Sequence, residues 1–255
     1  MLWVHLAVLF SGAIAAGAIN ALAGGGSLVT LPILLALGLP PAAANATNAV
    51  AAWTGLMGGA LRYRGMLRPH RRAVAHMAVI SAVGGLIGGG LMLTTPAPLL
   101  AGLLPWLILI ATLCFLVSPW VDRALRRDGA WGLDRTADLA GWRGVVLFAV
   151  SVATGYFNPC GGVAMVAAFA TFGIDDLRLA NGLKIVLGMT MTGASVALFV
   201  AADAVVWPWA LVMVAGTLLG GWLGATLALR IDRRLLRGLI LTWGGVMSAV
   251  FLAPS

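Results

Sequence analysis

The chain has 255 residues, 61% of them hydrophobic and only 9% charged. Soluble domains carry about 25% charged residues, so this composition excludes a water-soluble globule and points to lipid as the solvent. The net charge of +8 comes with no glutamate and a single lysine, and its confinement to short loops excludes a continuous basic face for nucleic acid.

In chain order, residues 1–22 are apolar, lack a positive start and run on into further membrane sequence. They read as retained structure, not as a signal peptide. The apolar segments of the first half fall near 2–22, 28–39, 43–61, 73–95 and 99–121. Those of the second half fall near 144–157, 162–173, 179–201, 205–229 and 235–253. The runs are continuous, not alternating, which predicts helices, one of the two structures that satisfy their backbone in lipid. A crossing needs ~20 residues. The second segment of each half has about 12, or ~18 Å of helix, and the first segment of the second half about 14, both short of a ~30 Å core. The first two segments of each half are therefore expected to form a broken or re-entrant hairpin, followed by three full spans. Ten complete spans is the alternative. The fold class is an all-α integral membrane protein with a first membrane repeat at 1–121, a linker at 122–143 and a second membrane repeat at 144–255.

Every arginine falls in one of four zones: 62–72, 123–143, position 178 and 230–237. The alternating loops at 38–44, 94–98 and 201–208 carry none. Lys and Arg mark cytoplasmic loops, so the 118–143 region is expected in the cytoplasm and both termini outside. A shift of 136 positions aligns the halves without a gap. It lays Gly25 and Gly26 on Gly161 and Gly162, Ala44 and Asn45 on Ala180 and Asn181, and Gly84, Gly85 and Gly88 on Gly220, Gly221 and Gly224. Yet the basic loop at 62–72 has an equivalent near 198–208 that carries only Asp203, and the basic loop at 230–237 has an uncharged equivalent at 94–101. Equivalent loops then lie on opposite sides, which predicts two inverted-topology repeats of five segments, a design of many secondary transporters.

Two constellations carry chemistry. The first is Gly24-Gly25-Gly26-Ser27, before the short second segment, with Asn158-Pro159-Cys160-Gly161-Gly162 at the equivalent place. A helix N-terminus attracts anions through unpaired N–H groups and its dipole. Two such termini meeting near the midplane would make an anion site. The alternative is tight helix packing, which is the preferred reading for the runs around Gly84 and Gly220. The second constellation is Asn45, Thr47 and Asn48, expected to face Asn181 and Lys184. Asn45 and Asn48 share a helix face at a spacing of three, as do Asn181 and Lys184. A charge inside a membrane segment is a functional candidate; snorkelling of Lys184 to the interface is the alternative, and helix-to-helix glue is the alternative for the amides. Thr190, Thr192 and Ser195 rank lower because hydroxyls bond back to their own helix.

No acidic residue falls in the middle of an apolar segment, where a cation path or a carboxylate proton relay would need one. Cys114 and Cys160 do not suggest a disulfide framework, and His5, His70 and His76 show no metal spacing. A membrane-embedded enzyme would have Cys160 as its one plausible nucleophile, with no histidine or carboxylate beside it. A cation or metal transporter is the remaining alternative. The lysine, the amides and the helix N-termini together favour an anion.

Residues 23–32, Ala-Gly-Gly-Gly-Ser-Leu-Val-Thr-Leu-Pro, then Leu37-Gly38-Leu39-Pro40-Pro41 and Ala46-Thr47-Asn48, resemble the first repeat of the sulfite exporter TauE/SafE family. Asn158-Pro159-Cys160-Gly161-Gly162 and Ala180-Asn181-Gly182-Leu183-Lys184 resemble its second repeat. Ala49 stands where the family often has a lysine, leaving Lys184 alone. The resemblance covers nearly the whole chain and implies a bacterial inner-membrane transporter of sulfite, sulfonates or related sulfur-containing anions. With the residues above, the expectation is an exporter working by alternating access, with another small anion such as a carboxylate as the second substrate class. Its partners are a small anion and the bilayer, without nucleic acid, cofactor or metal; a homodimer is compatible with it. An inside-negative potential favours anion exit by about 2.3 kcal/mol per charge per 100 mV, so export needs no proton relay.

Overall fold

A computed structural model describes residues 2–22, 25–125, 141–172, 174 and 177–227, with positions 238, 242, 245 and 246. Gly24, residues 126–140 of the linker, Asp175 and Asp176 lie outside the described residues, as does nearly all of the last apolar segment. Among the described residues all regular structure is helical.

The helices are α1 (Leu2–Leu22), α2 (Ser27–Ala36), α3 (Pro41–Leu67), α4 (Arg71–Thr94), α5 (Ala97–Leu125), α6 (Trp142–Tyr156), α7 (Gly161–Thr171), α8 (Leu177–Ala201) and α9 (Trp207–Leu227). Among the described residues, three stretches are long and apolar enough to cross a membrane: Trp3–Asn20, Tyr63–Thr94 and Leu179–Ala201. The halves are unequal. α1, with 21 residues, is long enough to cross alone, whereas its equivalent α6 has 15. The 10 residues of α2 and 11 of α7 are too short, at 1.5 Å per residue, to cross a ~30 Å core.

Local chemistry sets the breaks. Gly25 has φ 110, a conformation open to glycine and strained for other residues. α2 ends at Gly38, φ 86, where Gly38 N–H donates to Leu35 C=O at 2.9 Å and Leu39 N–H to Leu34 C=O at 3.2 Å. This Schellman closure satisfies the last carbonyls. Pro41 then opens α3 at the first helical position, where its missing N–H costs nothing. Between α3 and α4, a 3-10 turn at Arg68–His70 turns the chain, with Arg64, Arg68, Arg71 and Arg72 exposed around it.

The helices of the two halves interleave. α1 packs along α9 and α4 along α6, while α3 and α8 cross at the centre. A shift of 136 converts α1 into α6 and α9 into α4, so the first two pairings are the same pairing with the halves exchanged. Glycines permit both. A Cβ on Gly220 would collide with the Ile14 carbonyl, and one on Gly88 with the Val152 carbonyl. Gly84 faces Ser151, and a Cβ added to it would lie 2.6 Å from the Ser151 Cβ. Outward residues are apolar, among them Leu86, Ile87 and Leu91 on α4 and Leu211, Leu218 and Trp222 on α9. Trp3, Trp142 and Trp207 are exposed near helix ends, where aromatic belts sit.

Gly88→Val and Gly220→Val should each cost at least the ~1–3 kcal/mol of an overpacked contact, because the obstacle is backbone. Gly102→Ala, with open space around it, should gain up to about 1 kcal/mol from helix propensity. Thermal unfolding in detergent measures both; a wild-type midpoint for Gly88→Val would rule out the close α4–α6 crossing.

Candidate functional site

The two interruptions of the helical ladder meet. Ser27 opens α2, and Asn158 stands in the 3-10 turn Asn158–Cys160 that separates α6 from α7. Ser27 Oγ donates to Asn158 Oδ1 at 3.1 Å, and Asn158 Nδ2 donates to Thr192 Oγ1 on α8 at 3.1 Å. One turn along α2, Thr30 Oγ1 donates to Asn48 Oδ1 on α3 at 2.6 Å. Asn45 Nδ2 donates to Tyr156 C=O at the end of α6 at 3.0 Å. Polar side chains from α2, α3, α8 and the 3-10 turn, with one main-chain carbonyl of α6, are thus gathered into one buried region. Within it Asn48 Nδ2 and Asn45 Oδ1 have no hydrogen-bond partner among the described residues, although the residues are only 1% and 2% exposed.

The helix N-terminus contributes less than its glycines suggest. Leu28 N–H donates to Gly25 C=O at 2.9 Å, and Val29 and Thr30 N–H to Gly26 C=O at 3.0 and 3.3 Å. Packing also accounts for Gly26, whose Cβ would collide with the Ala16 carbonyl. Gly161 N–H is taken by Asn158 C=O, and a Cβ on Gly161 would collide with the Thr154 side chain. Gly162, beside it in the first turn of α7, is half-buried. The Cys160 side chain lies outside the described residues.

The second constellation divides. α3 and α8 run antiparallel: Gly182 lies against Tyr63, Gly188 against Leu56 and Gly193 against Trp53. The same register puts Asn48 level with residues near 197, in the core that joins Val50 to Val196 and Phe199. Lys184 falls level with residues near 61, beside the core that joins Tyr63 and Leu67 to Leu183 and Leu187. Asn45 and Asn48 therefore do not face Asn181 and Lys184. The two pairs stand about 20 Å apart along the crossing, at 1.5 Å per residue, because equivalent positions on antiparallel helices fall at opposite ends. Asn181 and Lys184 are half-buried, and neither side chain makes a hydrogen bond or ion pair among the described residues. Thr47 turns away from the amides and accepts from Val206 N–H at 3.0 Å, anchoring the connection between α8 and α9.

Thr30 and Tyr156 join the site without having been singled out for it, and Thr192, ranked low as a hydroxyl that would bond back to its own helix, accepts from Asn158 instead. Thr30 carried a signal, a polar residue one turn from Ser27 on a short apolar helix. Tyr156 contributes a main-chain carbonyl, which no side-chain pattern reveals. Among the described residues no three His, Cys, Asp or Glu side chains could hold a metal ion together.

Residues 9–251 match the family described as Sulfite exporter TauE/SafE. The chain belongs to that family. It is 31% identical to the probable membrane transporter protein YfcA of Escherichia coli K12 over 256 aligned positions, covering 98% of this chain and 90% of that protein. A probable membrane transporter protein of Haemophilus influenzae is 30% identical, with 96% and 93% covered. One named ORF9 from Sinorhizobium is 28% identical, with 92% and 87% covered. No solved structure matches the chain. The TauE/SafE match spans both halves, so α2, the 3-10 turn at Asn158 and both asparagine pairs all fall inside it.

Thr30→Val should strand both ends of the Asn48 amide and cost ~1–3 kcal/mol. Adding Asn48→Leu should recover part of that loss, since no buried amide then remains. Thermal midpoints of the two single variants and the double variant give the coupling; strictly additive losses would refute the pairing.

Proposed function

We propose that this TauE/SafE protein is a secondary transporter that exports small sulfur-containing anions, such as sulfite or organosulfonates, by alternating access. The observation that carries the reading is the unpartnered, fully buried Asn48 Nδ2, in the region where α2 and the Asn158 turn meet. An N–H donor held away from water is matched by an anionic oxygen, and ionised acceptors make the stronger hydrogen bonds. Interrupted helices brought together inside the protein are a recurring form of transporter binding site.

On this reading residues 1–121 and 144–255 are inverted repeats, and 122–143 is a cytoplasmic linker. The protein sits in the bacterial inner membrane with both termini outside. Three features support it: the alternation of arginine-rich and arginine-free loops, the constant offset of 136 between the halves, and the exchanged pairing of α1 with α9 and α6 with α4. Alternating access then means rocking one repeat against the other about the α3–α8 crossing. Asn45, Asn48 and Ser27 serve one end of that crossing and Asn181 and Lys184 the other.

In proteoliposomes loaded with sulfite, an inside-negative potential of about 100 mV should favour exit of a monoanion roughly fiftyfold at equilibrium. Asn48→Ala and Lys184→Ala should each slow efflux at least about tenfold, the equivalent of one lost hydrogen bond. Efflux unchanged in both variants would remove the assigned site.

A further inference from the structure

The two unpartnered atoms on α3 are of opposite kind. Asn45 and Asn48 are three residues apart on α3, so their side chains share a face. The orientation of each amide follows from its partner. Tyr156 C=O can only accept, so the Asn45 atom 3.0 Å from it is the NH₂ group, and the unpartnered atom is the oxygen. Thr30 Oγ1 lies 2.6 Å from Asn48, an O–H···O length, and 3.4 Å from Gly26 C=O, which is beyond one. The threonine proton therefore goes to Asn48 Oδ1, and the unpartnered atom is Nδ2. One face of α3 thus offers a buried donor and, one turn away, a buried acceptor.

An anion made only of acceptor oxygens satisfies half of this pair. Its oxygens accept from Asn48 Nδ2, but at Asn45 they meet another oxygen and leave it desolvated. An unmet buried polar group is where recognition discriminates most strongly. We infer that the site takes an anion that itself carries a hydrogen-bond donor, its anionic oxygens on Asn48 Nδ2 and its O–H or N–H group on Asn45 Oδ1. Among inorganic anions this selects the singly protonated oxyanion over the bare dianion. Among sulfonates it selects those with a nearby hydroxyl or amine. The inference rests on the anion site proposed above and narrows its substrate class.

Ethanesulfonate and isethionate test it, because they share charge and headgroup and differ by one hydroxyl. Binding to the purified full-length protein is measured calorimetrically in potassium buffer. Isethionate is expected to bind about tenfold or more tightly, the value of one added hydrogen bond in a buried site. Asn45→Leu is expected to shrink that ratio to within about twofold, the loss of the same bond; the wild-type ratio stands as a test by itself if this variant does not fold. Equal affinities in the wild type, both weakened by Asn48→Leu, would overturn the donor requirement and leave the anion site intact. A ratio that survives Asn45→Leu would overturn the role of Asn45. Ethanesulfonate that gains affinity to match isethionate when sodium replaces potassium would mean that a cation fills the acceptor, and would also overturn it. Absence of binding by either sulfonate would sink this inference together with the reading on which it rests.

Discussion

Backbone N–H and C=O groups have no water to bond with at membrane depth, so a helix can be interrupted there only where protein surrounds the gap. The placement of the polar residues follows from that constraint. The chain breaks its ladder at Gly25 and Gly26 and again at Phe157–Cys160, and the two breaks are brought against each other by the Ser27–Asn158 hydrogen bond. Gly25 and Gly26 carbonyls take the first amides of α2, and Asn158 C=O takes the Gly161 amide. The interruptions are largely self-satisfied. What they leave for a ligand is side-chain chemistry, mainly the carboxamides of α3.

The glycine crossings make the meeting of the breaks geometrically feasible. α1 and α6 each lead into a break, and each is held against a helix of the other half with almost no side-chain thickness between. Gly220 at Ile14 and Gly88 at Val152 are the points of closest approach. Close backbone approach replaces the hydrophobic drive that lipid cannot supply between helices. It also joins the halves through the elements that carry the breaks.

Helix order was legible in the sequence because membrane helices announce themselves as continuous apolar runs. The predicted segment at 28–39 appears as Ser27–Ala36, and that at 179–201 as Leu177–Ala201. The site was legible only in part. The spacing of Asn45 and Asn48 gives a shared face, and the motif around Ser27 marks a break. Which residues from distant segments meet is a matter of helix direction. The offset of 136 lays Lys184 on Asn48, yet the antiparallel packing of α3 against α8 puts the two positions at opposite ends of the crossing. The glycines have a plainer explanation than anion binding, since Gly26 answers to the Ala16 carbonyl and Gly25 to a positive φ. Tyr156 was illegible because its contribution to Asn45 is a carbonyl.

The separation of Lys184 from the α3 amides has a physical consequence for the proposed transport. An anion paired directly with a desolvated ammonium in a low-dielectric interior would be held strongly, and a site in a permeation path must also let go. Carboxamides and hydroxyls supply neutral hydrogen bonds, enough to replace part of a hydration shell without trapping the ion. Lys184, on the order of 20 Å away along the crossing by helix rise, contributes attraction at the other end. Under the proposed transport, the division would set a direction-dependent profile, with neutral recognition at the Asn48 end and charge at the Lys184 end. Two identical half-sites would produce no such difference. If the halves are the inverted repeats proposed above, asparagine in the first half and lysine in the second would be one of the differences by which such a fold distinguishes its two sides.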